Sequence, residues 1–151
     1  MLITGAEIEP LLPHAGAMLL IDGVTAWDEE HISCISDRHR DRDNPLFRSG
    51  QLAALHAIEF AAQAAAVHGG LMSGLINGGR KAPLRALAAV RRAHLAMHRL
   101  DDLAGRMTIE ARVAMLDAKA AIYQARLTSD DIEIASMRLT LMTIETETVE
   151  R

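Results

Sequence analysis

The sequence predicts an α+β domain in which an antiparallel sheet wraps around one long, buried helix. Three observations carry this expectation. The run Gln51 to His68 has no Gly or Pro and is crowded with Ala, the strongest helix former. Further on, Met107, Ile109, Ala111, Val113 and Met115 alternate with Arg106, Thr108, Glu110 and Arg112, the period of two of a strand with one buried face. Finally, 50% of the 151 residues are apolar, enough for one domain's core without disulfides. A single domain over 1–151 is expected.

The elements follow in order. A short N-terminal turn or helix leads to Leu11-Leu12-Pro13-His14-Ala15-Gly16, a loop punctuated by Pro and Gly. Met18 to Trp27 reads as a strand and His31 to Asp37 as its return. Arg38 to Gly50 is polar and broken by Asn44-Pro45 and Ser49-Gly50, so it reads as a loop. The helix from Gln51 to His68 would be roughly 27 Å long. It is apolar nearly all round, which predicts burial, and Gly69-Gly70 is its expected stop. A Gly-rich loop, Ser73 to Pro83, comes next. Leu84 to Met97 is expected as a strand, although its Ala content keeps helix as an alternative. Lys119 to Thr128 and Ile132 to Ile144 read as strands joined by a turn at Thr128-Ser129-Asp130-Asp131. A shift of apolar phase between Ile134 and Met137 marks an expected bulge. A sheet around a single central helix is the hot-dog architecture.

Composition narrows the function. Aromatics are only 3%, too few for base-stacking nucleic-acid modules, and the net charge of −4 gives no overall attraction to DNA or to an anionic membrane. The one cysteine, Cys34, lies in the alternating stretch His31 to Ile35 and reads as a buried strand thiol rather than a nucleophile. The acidic N-terminus does not read as a signal peptide, and no apolar run is long enough to span a membrane. A cytoplasmic protein is expected.

Within the apolar helix the polar side chains stand out. Glu59 is the candidate acid. A buried carboxyl resists ionisation, and a neutral carboxylic acid suits general-acid catalysis. His56 and Gln63, at i−3 and i+4, share its face. His68, nine residues on, falls roughly opposite. His14 is a loop histidine. No His-x-x-x-His with a nearby acid occurs, so no metal site is expected.

Two segments resemble a known family. Leu12 to Asp22, LPHAGAMLLID, is similar to the start of the 3-hydroxyacyl-acyl-carrier-protein dehydratases, and Leu52 to Gln63, LAALHAIEFAAQ, is similar to their catalytic helix. Asn44-Pro45-Leu46, Ile58 to Gln63 and Ala66 to Gly70 resemble the divergent branch associated with aryl polyene biosynthesis. The resemblance implies a hot-dog dimer with Glu59 as the catalytic carboxylate. It also implies an acyl thioester on acyl carrier protein as substrate, and no cofactor. The chain departs from the family at the usual histidine, which aligns with Pro45, and at the Pro-Gly pair, which aligns with Ala53-Ala54. His14, whose segment is matched, is the preferred substitute for that histidine, and His56 is the second candidate. Backbone N–H groups at Ala53 and Ala54 would face the thioester carbonyl, and Gln63 completes the expected substrate-binding set.

Three functions compete on this basis. They are a 3-hydroxyacyl dehydratase, a hot-dog thioesterase using the same Glu59, and a non-catalytic subunit that completes a partner's site. Arg80, Lys81, Arg85, Arg91, Arg92, His94, His98 and Arg99 concentrate basic groups in an acidic chain, an expected docking patch for an acidic carrier protein. The partner is expected to be a second hot-dog chain, identical or distinct, and no nucleic acid or membrane.

Overall fold

A computed structural model describes residues 3–12, 18–76 and 85–144. Seven strands form one antiparallel sheet: β1 (Ile3–Thr4), β2 (Gly23–Trp27), β3 (His31–Ser36), β4 (Arg85–Leu95), β5 (Met107–Leu116), β6 (Ala120–Ser129) and β7 (Ile132–Thr143). Their spatial order is β1-β2-β3-β5-β6-β7-β4, so β4, the first strand after the long helix, closes the far edge. One helical turn, α1 (Gly5–Ile8), precedes β2. The long helix α2 (Ala57–Ile76) packs against β3, β5, β6 and β7. The expected antiparallel sheet around one helix is therefore the observed fold.

Alternation along the strands explains which face meets α2. On β5, Met107, Ile109 and Ala111 are buried. On β6, Tyr123, Ala125 and Leu127 are buried, and on β7, Met137, Leu139 and Leu141. The residues between them point to the outer face. Phe60, Ala61, Ala64, Ala65 and Val67 of α2 fill the concave side. Small alanines let sheet and helix backbones approach closely, and Phe60 supplies the bulk they lack.

The helix differs from the expectation at both ends. It does not start at Gln51. Leu52 and Ala53 are extended, because Ala53 bridges Arg99 and Leu52 O accepts from Leu100 N at 2.8 Å. The Asp101 carboxylate, itself held by Arg99, accepts from Leu52 N at 2.9 Å. Only after this tie does a 3₁₀ turn, Ala54–His56, lead into α2. At the other end, Gly69-Gly70 does not stop the helix, which continues to Ile76. A Cβ on Gly70 would lie 3.0 Å from Leu11 Cβ. The missing side chain lets the N-terminal turn sit against α2, and that contact offsets the ~1 kcal/mol helix cost of a glycine.

Met18 to Asp22 is not strand either, since β2 begins at Gly23. Its backbone is held by side chains instead. Ser36 Oγ donates to Leu20 O, and the Gln63 amide takes two further groups. The Ile134 bulge is present: Leu127 faces Ala135 and Thr128 faces Glu133, leaving Ile134 extra. The β6–β7 turn uses Asp130 and Asp131 at φ 50° and 63°, the left-handed pair of a two-residue hairpin. The strand assignment of β4 stands, with Ala96 and Met97 beyond its end and Leu84 outside the described residues. Of the Gly-rich stretch, residues 73–76 belong to α2 and 77–83 lie outside the described residues.

Candidate active site

Glu59 and His56 occupy the first turns of the α2 segment. The 3₁₀-to-α transition places them three residues apart on one face, and His56 Nδ1 lies 3.3 Å from Glu59 Oε2. Contrary to the burial expected from the apolar helix, the Glu59 side chain is 45% exposed and that of His56 is 26% exposed. The cause is the side of α2 on which they lie. Leu55, Glu59, Ala62, Ala66 and Gly69 form a face that the chain's own sheet does not cover: Leu55 is 60% exposed, and a Cβ on Gly69 would meet nothing within 4 Å. The helix is apolar all round by composition but one-sided in its packing.

Gln63, one turn beyond Glu59, is buried and already engaged. Its Oε1 accepts from Leu20 N at 2.6 Å and its Nε2 donates to Met18 O at 2.8 Å. The amide thus clamps the segment leading to β2. His14 lies outside the described residues. Of the two backbone donors expected for the thioester oxygen, Ala54 N–H is not available, because it donates to His98 O at 2.9 Å. Ala53 N–H points away from the Arg99 bridge, as in any pair whose flanking residues make the ladder bonds.

On the opposite face of α2, His68 and Tyr123 form a buried pair that sequence reasoning did not find, beyond placing His68 opposite Glu59. His68 Nε2–H donates to Asp28 O at 2.8 Å, which leaves Nδ1 to accept from the Tyr123 hydroxyl at 2.7 Å. The pair needs a neutral imidazole. Burial pushes the His68 pKa below its usual value, against the pull of the Asp28 carbonyl and carboxylate, and burial raises the Tyr123 hydroxyl to about 12. The His39 ring is shifted down by burial too. Below about pH 6.5 the unfolded chain therefore binds protons that the folded chain refuses, so stability falls as pH drops through that region. The acidic shifts act elsewhere. Asp28, held near 2 first by its bond from His31, and Asp101, held near 2 first by Arg99, cost stability only below about pH 4. Urea unfolding at pH 7.5, 6 and 5 is expected to show a decline that is shallower in His68→Gln, the remainder belonging to His39. An unchanged slope in that variant would rule His68 out as its source.

Cys34 is fully buried, and burial raises its thiol to about 12, so it is no nucleophile. Among the described residues no three His, Cys, Asp or Glu side chains gather in a metal-binding group, and no helix is long and apolar enough to cross a membrane.

A family model described as ApeP dehydratase, ApeP-like, matches residues 6–150. This chain belongs to the ApeP-like dehydratase family. No curated protein matches its sequence significantly. Among solved structures, the dehydratase is similar to the dehydratase heterocomplex ApeI:P from Xenorhabdus doucetiae, with a TM-score of 0.82 at 20% identity over 92% of this chain and 91% of that one. A thioesterase from Haemophilus influenzae aligns over 100% of both chains with a TM-score of 0.61 at 17% identity. A mutant thioesterase from Pseudomonas aeruginosa gives 0.56 at 19% identity, over 81% and 80% of the two chains. At these identities the likeness shows a shared hot-dog fold.

The basic patch of the dehydratase divides in the structure. Arg80 and Lys81 lie outside the described residues. Arg85 donates to Asp117 O, and Arg99 is committed to Asp101. Arg91 and Arg92 remain exposed on β4.

Proposed function

We propose that this dehydratase removes water from a 3-hydroxyacyl thioester carried on an acyl carrier protein, giving the 2-enoyl thioester, with Glu59 and His56 as the proton-transferring pair. The contact between His56 Nδ1 and Glu59 Oε2, on the open face of α2 in a chain of a dehydratase family, carries this reading. In the reactive form the imidazole is neutral and Glu59 holds a proton. The imidazole takes the C2 proton through its free Nε2, and the C3–O bond breaks as Glu59 protonates the departing hydroxyl. Water leaves, and the electrons of the former C2–H bond become the new double bond. The imidazolium then returns its Nδ1 proton to Glu59 across the 3.3 Å contact, and exchange with solvent moves the proton left on Nε2 back to Nδ1, which restores the pair. No metal or cofactor enters this sequence. His56 is preferred to His14 because its geometry beside the carboxyl is already in place. Ala53 N–H, free of the Arg99 bridge and close to the helix start, supplies a donor for the thioester oxygen.

The site needs a cover, and a second hot-dog chain supplies it in this proposal. The uncovered face of α2 and the open edge of β4, eleven residues long, offer apolar surface and unpaired backbone together, with Leu55, Leu87 and Leu95 exposed. The related X. doucetiae structure is a heterocomplex, which supports a distinct second chain as readily as an identical one. Closing over Glu59 and His56 would exclude water from the reaction.

The test is product analysis with a small-thiol 3-hydroxyacyl thioester, for this chain alone and mixed with a candidate hot-dog partner. Enoyl absorbance without free thiol is the expected outcome. Free thiol without enoyl product would assign thioester hydrolysis instead, and turnover only in the mixture would make the second chain part of the active site.

A further inference from the structure

The outer face of the sheet carries a cluster of cations that the dehydration chemistry does not use. Arg91 on β4 lies directly opposite Arg138 on β7. Like charges in that position repel, and among the described residues neither Arg91, Arg92 nor Arg138 has a carboxylate within ion-pair distance. The other arginines of this face are answered: Arg112 approaches Glu30 and Arg126 approaches Glu110, each at 3.9 Å. Arg138 Nε is buried with no acceptor.

The backbone departs from regularity at the same place. Arg91 faces Arg138 and His94 faces Ser136, so Arg92 and Ala93 together oppose Met137. This bulge holds Arg92 at φ 53°, a left-handed conformation that a long side chain rarely adopts. In a regular strand Arg91 and Arg92 would point to opposite faces. With the bulge, both line one groove of about 280 Å³ with Ile122, Arg138 and Thr140. A bulge that re-aims a side chain is a feature of binding sites.

We propose that this groove is a binding site for a phosphate group. Three guanidinium groups offer paired N–H donors matched to phosphate oxygens, and the Thr140 hydroxyl adds a further donor. A bound dianion would relieve the Arg91–Arg138 repulsion and provide the acceptor that Arg138 Nε lacks. The proposal does not depend on Glu59 or on the reaction.

Isothermal titration with inorganic phosphate, with chloride balancing the ionic strength, tests it without reference to turnover. Saturable binding at one site per chain is expected, weakened about tenfold or more in Arg138→Gln, in line with loss of a charge-assisted hydrogen bond. Arg91→Gln, an exposed position, should act in the same direction and guards against a folding defect in the first variant. Arg126→Gln removes equal charge from the same face and should change affinity by less than about twofold. A second titration with dimethyl phosphate separates the sources. Retained binding identifies a phosphodiester ligand, and lost binding identifies a dianionic phosphate, free or singly esterified. Absence of saturation, or equal weakening by Arg126→Gln and Arg138→Gln, would overturn the site and leave a diffuse cationic surface.

Discussion

Glu59→Gln is expected to lower turnover of a 3-hydroxyacyl thioester by about 100-fold or more, the usual loss when a general acid is removed. The amide keeps the size and the hydrogen-bonding reach towards His56 but has no proton to give to the departing hydroxyl. Stability should change by less than about 0.5 kcal/mol, because the side chain is 45% exposed and makes no contact that the core depends on. The comparison with His56→Gln is informative. If the two residues work as one proton-transferring pair, the double variant should be scarcely slower than either single variant, since groups acting as a unit are not additive. Steady-state assays of the four proteins, each checked by thermal unfolding, provide the measurement. A Glu59→Gln protein with unchanged turnover would remove Glu59 from the mechanism.

Gln63→Leu is expected to act on the fold first. Leu keeps the approximate volume of the side chain and removes both ends of the amide, so Leu20 N–H and Met18 C=O lose their partners. Leu20 is fully buried and its N–H has no route to water, whereas the Met18 carbonyl is less enclosed. At about 1–3 kcal/mol for each buried group left unsatisfied, the variant should lose roughly 2–4 kcal/mol. Gln63→Glu keeps an acceptor for Leu20 N but sets a buried carboxylate oxygen against Met18 O, so at neutral pH it should lose at least as much as Gln63→Leu. Urea midpoints at neutral pH measure both. A loss confined to activity, with the midpoint unmoved, would show that Gln63 serves the substrate rather than the segment that carries His14.

The sequence was most legible where a local period decides structure. Alternation predicted β5, β6 and β7 and even the Ile134 bulge, because each strand buries one face and a slipped phase exposes an apolar side chain. It was least legible where a partner far along the chain intervenes. The start of α2 depends on Arg99 and Asp101, more than forty positions on, and the passage through Gly69-Gly70 depends on Leu11. The candidate site divides the same way. Glu59 and His56 are visible together because three residues on a helix share a face. The commitment of the Ala54 N–H to His98 and the His68–Tyr123 pair join elements distant in sequence, and no spacing announces them.

Alanine content and strand periodicity by themselves determined that one helix would lie in the curve of an antiparallel sheet, and helical spacing determined that an acid and a histidine would meet on it. Tertiary structure decided that the acid stands on the uncovered side of that helix. Composition is a sum over all faces, and it cannot tell which face the sheet reaches. The sheet follows one side of a cylinder, with α2 packed on β3, β5, β6 and β7, and Leu55, Glu59 and Ala62 lie on the side it does not reach. A carboxyl that looked buried because its neighbours are apolar is open because those neighbours turn to the sheet and it does not.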